Sequence, residues 1–211
     1  MEPHGGQPLV TTGAPVGESR AVMIMVHGRG AGPWNILDLV PALGHPEFAY
    51  LAPAAANNTW YPLSFMADMA ANEPGLSSAL AVLDDLVEDL VARGVPKSRI
   101  ALLGFSQGAC LSAEFGVRHA DRFGGLILFS GGVIGPPGTA WNYPGSFAGT
   151  PVFLGCSDVD AHVPAARVDE SAEVFTRMGA QVTKRIYEGM GHLVNEDEIA
   201  FARAIMGRMV S

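Results

Sequence analysis

The sequence predicts an α/β fold in which a mostly parallel central sheet carries helices on both faces. Ala21–Val26 and residues 100–103 and 126–129 are short, wholly apolar runs. Such runs are typical of strands that are covered on both faces. Segments with helical periodicity alternate with them, and glycine, at 26 of 211 residues, is frequent enough to supply many tight turns. This alternation predicts an α/β layer arrangement.

The helix between the first two apolar runs has the clearest periodicity. Apolar residues recur at helical spacing at Leu76, Leu80, Leu83, Val87, Leu90 and Val91. Gly94 is predicted to end this helix, with Pro96 just beyond it. Further strands are predicted at residues 49–52, 151–155 and 181–187. Further helices are predicted at residues 107–119, 165–178 and 196–209, with a shorter one at 36–43.

The chain shows no internal repeat, low-complexity tract or linker, so we predict a single domain over residues 1–211. Residues 1–19 are expected to form a peripheral N-terminal segment. Two glycine- and proline-rich loops, residues 53–74 and 130–149, follow predicted strands. Long loops in this position often form the walls of a ligand pocket.

Charge and cysteine content restrict the possible functions. The formal net charge is -8, and the 13 Lys and Arg residues form no basic run, which argues against a nucleic-acid partner. Cys110 and Cys156 lie in apolar stretches and cannot build a disulfide framework. The N-terminus lacks the pattern of a signal peptide, and no stretch approaches the ~20 apolar residues of a spanning helix. We therefore expect a cytoplasmic protein without a membrane span.

The most specific motif is G-x-S-x-G, from Gly104 to Gly108, which follows an apolar strand and opens a helix. In a nucleophile elbow the glycines permit a sharp strand-to-helix turn that presents the serine hydroxyl. The helix N-terminus also favours developing negative charge. An isolated pentapeptide of this kind is often only a glycine-rich turn, but the surrounding strand and helix favour catalysis. Ser106 is therefore the predicted nucleophile.

A serine nucleophile needs a base, and the base needs an orienting carboxylate. His192 is the predicted base because it lies on a glycine-rich loop between a strand and the last helix, a context that the other histidines lack. Asp158 and Asp160 both follow a predicted strand and both satisfy the order Ser, acid, His. The D-x-D-x-H run that contains them lacks the pattern of a calcium loop or a zinc site, so no metal is predicted.

The chemistry also requires backbone N–H donors for the tetrahedral oxyanion. One donor is expected from the residue after the nucleophile, Gln107, and the other from a loop after an early strand. His27-Gly28-Arg29-Gly30 directly follows Ala21–Val26, so Arg29 is predicted to supply the second N–H. The alternative is that this segment forms a plain turn.

These segments together resemble the carboxylesterase, lysophospholipase and acyl-protein thioesterase family of α/β-hydrolases. The matching motifs are HGRG after Val26, GFSQGA from Gly104, DAHVP from Asp160 and YEGMGH from Tyr187, which span nearly the whole chain. The resemblance implies the α/β-hydrolase fold and no cofactor. In that family the acid stands four residues before the proline of a D-x-x-V-P motif, which selects Asp160 and leaves Asp158 as a turn residue.

The chain departs from the lipid-active members at Arg29, where they commonly have an aliphatic residue. The cation is expected either to bind an acidic group of the substrate or to pair with a loop carboxylate such as Glu73. A solvated arginine at the pocket rim is the alternative. Trp60, Tyr61 and Phe65 lie in an aromatic and polar stretch that is expected either to shape the acyl pocket or to anchor the core.

The predicted function is therefore that of a serine carboxylesterase, which cleaves carboxylic esters or thioesters through an acyl-enzyme. One alternative is a hydrolase of small aromatic or acidic ester or lactone metabolites, which Arg29 and the stretch around Trp60 favour slightly. Another is a non-catalytic scaffold that binds a small ligand. The expected partner is a small-molecule ester, and the protein is expected to be a monomer or a homodimer.

Overall fold

The computed structural model describes residues 3–211, which form an α/β structure around one seven-stranded sheet. The strands are β1 (Leu9–Gly13), β2 (Ala21–Val26), β3 (Phe48–Pro53), β4 (Ile100–Phe105), β5 (Gly125–Phe129), β6 (Pro151–Ser157) and β7 (Gln181–Tyr187). The α-helices are α1 (Pro33–Leu37), α2 (Val40–Leu43), α3 (Gly75–Ala92), α4 (Gln107–Arg118), α5 (Ala165–Arg177) and α6 (Glu196–Val210). Short 3₁₀ turns cover Ala56–Asn58, Met69–Asn72 and Lys97–Arg99.

The strand order is β1-β3-β2-β4-β5-β6-β7. All neighbouring strands are parallel except β1 and β3, which are antiparallel. Val26 pairs with Gly104, and Phe105 pairs with Phe129, so the carboxyl ends of β2, β4 and β5 lie at the same edge of the sheet. Open α/β sheets bind their ligands at this edge.

β2 illustrates why the central strands are wholly apolar. Val22, Ile24 and Val26 belong to the core layer that α3, α4 and α5 cover, whereas Met23 and Met25 belong to the layer that α1, α2 and α6 cover. Because side chains alternate between the two faces of a strand, a strand covered on both faces must be apolar at every position. The predicted sheet with helices on both faces is confirmed.

The N-terminal segment is more closely attached to the fold than the sequence indicates. β1, which the sequence analysis does not predict, pairs with β3 at the edge of the sheet. It is mostly exposed and therefore lacks an apolar run. The His4 backbone N–H also donates to Ser78 Oγ at 3.0 Å, and the His4 ring bonds to the carbonyl of Trp60 at 2.8 Å. Residues 1–2 of the predicted segment lie outside the described residues.

The predicted helix at residues 36–43 is instead two short helices, α1 and α2. Pro41 lies in the first turn of α2. Because proline has no N–H to continue a preceding helix, it favours a new helix start at this point. Within residues 3–211, no helix combines the length and apolarity that crossing a membrane would require.

Candidate active site

Ser106 lies in the sharp turn between β4 and α4, with φ of 56° and ψ of -121°. A side-chain-bearing residue with positive φ is uncommon and is characteristic of the strained nucleophile elbow. A Cβ on Gly104 would lie 2.4 Å from the carbonyl oxygen of Gly108, and a Cβ on Gly108 would lie 2.1 Å from that of Val26. Both positions therefore require glycine, which lets α4 pack closely on the sheet and hold Ser106 at its carboxyl edge.

Ser106, His192 and Asp160 form a continuous chain of hydrogen-bonding groups. His192 Nε2 lies 2.9 Å from Ser106 Oγ, and His192 Nδ1 lies 2.7 Å from Asp160 Oδ2. With its proton on Nδ1, the imidazole donates to the carboxylate and accepts from the serine hydroxyl. The three residues follow β4, β7 and β6, so parallel strands that end at one edge bring them together. The arrangement can remove a proton from Ser106.

The surroundings of Asp160 favour its ionised form. Its side chain is fully buried, and burial by itself would raise the pKa. This effect is outweighed by the hydrogen bond from His192 and by the backbone N–H groups of His162 and Val163, which donate to Oδ1 at 2.8 and 3.0 Å. Together they hold the pKa of Asp160 below its usual value, so the carboxylate can stabilise an imidazolium at His192.

Asp158, the other acid in the same loop, has a different set of contacts. Its carboxylate accepts the backbone N–H of Gly189 at 2.8 Å, and Ser157 Oγ accepts that of Gly191 at 3.0 Å. Both glycines have positive φ, 64° and 77°, a conformation that favours glycine. Asp158 therefore positions the loop that carries His192, whereas Asp160 contacts the imidazole itself.

The backbone N–H groups of Arg29 and Gln107 are available to a ligand. Both residues line the cavity that contains Ser106, and neither N–H has an acceptor within residues 3–211. A Cβ on Gly28 would lie 3.4 Å from Ser106 Cβ, which shows how closely the loop after β2 approaches the elbow. The backbone N–H of Gly30 donates to the carbonyl of Asn58 at 2.7 Å and fixes the far side of this loop.

Side-chain hydrogen bonds join this loop, the elbow helix and the segment after β3. Gln107 Oε1 accepts the backbone N–H of Trp60 at 3.0 Å, and its Nε2 donates to the carbonyl of Tyr61 at 2.8 Å. Trp60 Nε1 donates to the carbonyl of His27 at 2.9 Å, and His27 Nε2 accepts the N–H of Ala55 at 3.1 Å. Burial lowers the pKa of His27, in agreement with a neutral ring that accepts this bond.

Ser106 opens into a cavity of about 490 Å³. Its lining consists of Gly28, Arg29, Ala31, Tyr61, Pro62, Leu63, Ser64, Phe65, Phe105, Ser106, Gln107, Cys110, His162, Val163 and His192. This volume is in the range of small-molecule sites. Within residues 3–211, no group of three or more His, Cys, Asp and Glu side chains is arranged to hold a metal ion.

Comparison with known proteins places this chain in a family. The phospholipase/carboxylesterase family model matches residues 10–207, nearly the whole chain. The chain belongs to the phospholipase/carboxylesterase family. It is therefore a carboxylic ester hydrolase, as the sequence predicts.

Two relatives agree with membership of this family, and a third protein shares the fold. A phospholipase/carboxylesterase from Dyadobacter fermentans is 40% identical, with a TM-score of 0.92 over 100% of this chain and 99% of the other. Acyl-protein thioesterase 1 from Eremothecium gossypii is 29% identical, over 88% of each chain. A carboxylesterase from Bacillus cereus, at 20% identity and a TM-score of 0.74 over 97% of this chain and 95% of the other, shares the fold. The predicted α/β-hydrolase fold is confirmed.

Two of the four expected pocket residues of this family member lie outside the cavity. Tyr61 and Phe65 line it, whereas Trp60 and Glu73 do not. Trp60 is completely buried beneath the loop after β2, where its ring packs 4.9 Å from that of His27. Glu73 accepts hydrogen bonds from the N–H and hydroxyl of Ser77 at 3.0 and 2.7 Å, next to the start of α3. Trp60 thus anchors the core, and Glu73 caps a helix.

Of the alternatives that the sequence leaves open for Arg29, the pairing with Glu73 is not formed among residues 3–211. The Arg29 guanidinium donates to the carbonyls of Pro62 and Leu63 at 2.8 and 2.6 Å. It also lies 5.9 Å from the centre of the Tyr61 ring. Arg29 thus connects the loop after β2 to the segment after β3, and both line the cavity.

His162 is a cavity residue that the sequence analysis set aside for want of a matching context. Its ring lies 4.7 Å from that of His192 in an edge-on arrangement. Phe105 contacts His192 as well, at 4.9 Å, so His192 packs against two rings. The only signal in the sequence was proximity, because His162 stands two residues after Asp160 in one loop.

Proposed function

We propose that Ser106, His192 and Asp160 are the catalytic triad of a hydrolase that cleaves carboxylic esters or thioesters through an acyl-enzyme. The observation that carries this proposal is the hydrogen-bonded chain from Ser106 Oγ through both His192 nitrogens to Asp160, at 2.9 and 2.7 Å. Ser106 and His192 line a cavity, and the protein belongs to an esterase family. The order and spacing match what nucleophilic catalysis by serine requires.

In the first half of the reaction, His192 Nε2 takes the hydroxyl proton as Ser106 Oγ attacks the carbonyl carbon. The tetrahedral intermediate collapses when the bond to the leaving oxygen or sulfur breaks, and the imidazolium returns its proton to that atom. Water then attacks the acyl-enzyme with the same base, which releases the acid and restores the Ser106 hydroxyl. The ionised, buried Asp160 stabilises each transient imidazolium.

We assign stabilisation of the oxyanion in each tetrahedral intermediate to hydrogen bonds from the backbone N–H groups of Arg29 and Gln107. This assignment is supported by their position in the cavity beside Ser106 and by the absence of an acceptor for either group among the described residues. Gln107 is also the first residue of α4, where the helix dipole favours negative charge. Donors that are already oriented stabilise charge without reorganising in the transition state.

The cavity favours small or medium-sized substrates over large ones. Its volume of about 490 Å³ fits a compact ester, and Tyr61, Leu63 and Phe65 supply apolar wall. Thioesters remain in the proposed range because the relative from Eremothecium gossypii is an acyl-protein thioesterase 1. A thioester carbonyl would undergo the same attack, with sulfur in place of oxygen as the leaving atom.

The experiment that tests this proposal compares wild type and Ser106→Ala in the hydrolysis of 4-nitrophenyl butyrate. Loss of the nucleophile is expected to reduce kcat by ~10⁴-fold or more. Ser112→Ala is the matched control, because Ser112 lies in the same helix and its buried hydroxyl has no partner within the described residues. Its rate should stay close to that of wild type. An unchanged rate in Ser106→Ala would refute the assignment.

Labelling by a fluorophosphonate distinguishes the enzyme from a scaffold that only binds ligands. An activated serine forms a covalent bond to phosphorus and releases fluoride. Intact-mass measurement should show one adduct on wild type and on Ser112→Ala, and none on Ser106→Ala. A wild-type protein that is folded but unlabelled would support the non-catalytic alternative.

A further inference from the structure

The cavity beside Ser106 differs in charge from the protein as a whole. The chain carries a formal net charge of -8, yet Arg29, His162 and His192 are lining residues and no Asp or Glu is among the residues that line this cavity. Burial raises the pKa of Cys110 to about 12 and that of Tyr61 well above its usual value, so these two lining groups are neutral. Arg29 therefore contributes a formal positive charge to a cavity whose own lining includes no carboxylate, on a protein that is acidic as a whole.

The charge of Arg29 is not neutralised by the protein. Its two hydrogen bonds go to the carbonyls of Pro62 and Leu63, which carry no formal charge. Among residues 3–211, no carboxylate lies within ion-pair distance of its guanidinium. A guanidinium has five N–H donors, so the two bonds to the cavity wall orient the group and leave donors for a ligand.

His162 provides a second polar group in the cavity without a partner. Its ring nitrogens make no hydrogen bond within the described residues, although its ring packs edge-on against His192 at 4.7 Å. The carboxylate of Asp160, in the same loop, is occupied by the backbone N–H groups of His162 and Val163 and by the imidazole of His192. The His162 ring is therefore free to donate to a ligand next to the catalytic base.

We propose that the substrate of this enzyme carries a carboxylate in addition to the ester or thioester, and that Arg29 and His162 bind it. The planar fork of Arg29 matches the geometry of a carboxylate. The apolar wall formed by Tyr61, Leu63 and Phe65 accommodates the carbon skeleton between the two functional groups. This inference rests on the proposed function, since it assumes that the bond cleaved lies at Ser106.

Three chromogenic esters test the proposal, each normalised to its own hydroxide-catalysed rate. 4-Nitrophenyl hexanoate is neutral. Mono-4-nitrophenyl adipate has the same acyl length and a carboxylate at its end, and 3-carboxy-4-nitrophenyl hexanoate has the carboxylate on the leaving group. At least one anionic ester should exceed the neutral ester in kcat/KM by about threefold or more, since exposed ion pairs are worth up to about fivefold. The advantage should shrink as KCl is added, and the better ester identifies the half of the substrate that carries the charge.

Variants at the two residues separate charge from loop structure. The ratio of kcat/KM for the better anionic ester to kcat/KM for the neutral ester should fall towards one in Arg29→Gln and decrease in His162→Gln. It should persist in Arg29→Lys, because that variant keeps the charge. Arg93→Gln is the matched control, because Arg93 is exposed at the end of α3 and pairs with Asp89 outside the cavity. Its ratio should equal that of wild type.

Three results would overturn the proposal. The first is slower hydrolysis of both anionic esters than of the neutral ester, and the second is an advantage of the anionic ester that persists in the double variant Arg29→Gln, His162→Gln. The third is an equal loss of that advantage in Arg29→Lys and Arg29→Gln. These results differ from a failure of the proposed function, in which none of the three esters would be cleaved in a Ser106-dependent manner.

Discussion

The side chain of Gln107 holds the backbone of Trp60 in place, with Oε1 accepting the Trp60 N–H at 3.0 Å. Its Nε2 donates to the carbonyl of the following residue, Tyr61, at 2.8 Å. One buried amide therefore satisfies both an N–H and a C=O of the segment that forms a wall of the cavity. The residue that follows the nucleophile thus contributes through its side chain as well as through its backbone.

Gln107→Ala is expected to destabilise the protein by about 1–3 kcal/mol, because it leaves the buried groups of Trp60 and Tyr61 without partners. The backbone N–H at position 107 remains, so kcat should decrease less than in Ser106→Ala. Urea denaturation measures the change. Gln181→Ala on the exposed face of β7 is the control and should change stability by less than about 0.5 kcal/mol. Equal effects of the two substitutions would contradict the bridging role of Gln107.

Gly108→Ala should be among the most damaging single methyl additions in the chain. The new Cβ would lie 2.1 Å from the carbonyl oxygen of Val26, so α4 must move away from β2. We expect destabilisation of more than about 3 kcal/mol, or no soluble protein, because backbone atoms on both sides leave little room for adjustment.

Gly207→Ala provides the matched comparison for Gly108→Ala. Gly207 also lies in a helix, α6, but a Cβ there meets nothing within 4 Å. Since alanine has the higher helix propensity, this change should stabilise the protein by about 0.5–1 kcal/mol. Thermal unfolding of the two variants should therefore shift Tm in opposite directions, and a shift in the same direction would show that close packing of α4 is not the cause.

Asp160→Asn should lower kcat by ~10⁴-fold, because the amide cannot stabilise the imidazolium and favours the wrong tautomer of His192. Asp158→Asn should keep kcat within about threefold of wild type, since its amide oxygen can still accept the N–H of Gly189. Steady-state kinetics with 4-nitrophenyl butyrate compares the two. The reverse ranking would assign the catalytic acid to Asp158.

Glu198 should make the stability of the protein decrease as the pH rises. Its side chain is completely buried, Oε1 has no partner among residues 3–211, and burial raises its pKa to about 7. In the unfolded chain the carboxyl ionises near its ordinary value, so between about pH 4.5 and 7 the folded state holds more protons than the unfolded state. Its contribution to the free energy of unfolding is thus fully present below that window and decreases through it.

Glu198→Gln should remove this part of the pH dependence, on the order of 2 kcal/mol. Glutamine can still accept the backbone N–H of Asn195, as Glu198 Oε2 does at 2.9 Å, so the cap of α6 is retained. Urea titrations at pH 5 and pH 8 provide the measurement. Glu196, an exposed residue in the first turn of the same helix, is the control, and Glu196→Gln should leave the dependence intact. An identical profile for wild type and Glu198→Gln would refute the role of Glu198.

Local patterns were sufficient to predict most of the fold and the position of Ser106 in the turn between β4 and α4. The apolar runs of β2, β4 and β5 reflect burial on both faces. Because such burial requires apolar residues throughout the strand, it can be predicted from the residues of that strand alone. The nucleophile elbow is equally local, because the close approaches at Gly104 and Gly108 require glycine on either side of Ser106. β1 was missed for the same reason, since an exposed edge strand records no burial.

By itself, the sequence determined the α/β order of elements, the position of Ser106 in the elbow and the set of acids and histidines from which its partners are drawn. Only the tertiary structure decided which of them meet. In the structure, Asp160 rather than Asp158 bonds to His192. Trp60 is buried in the core, and Glu73 accepts hydrogen bonds from Ser77. His162 lines the cavity. Which of these contacts a loop residue makes depends on the direction of its side chain. That direction is set by packing and hydrogen bonds with segments distant in sequence, so the local sequence does not reveal it.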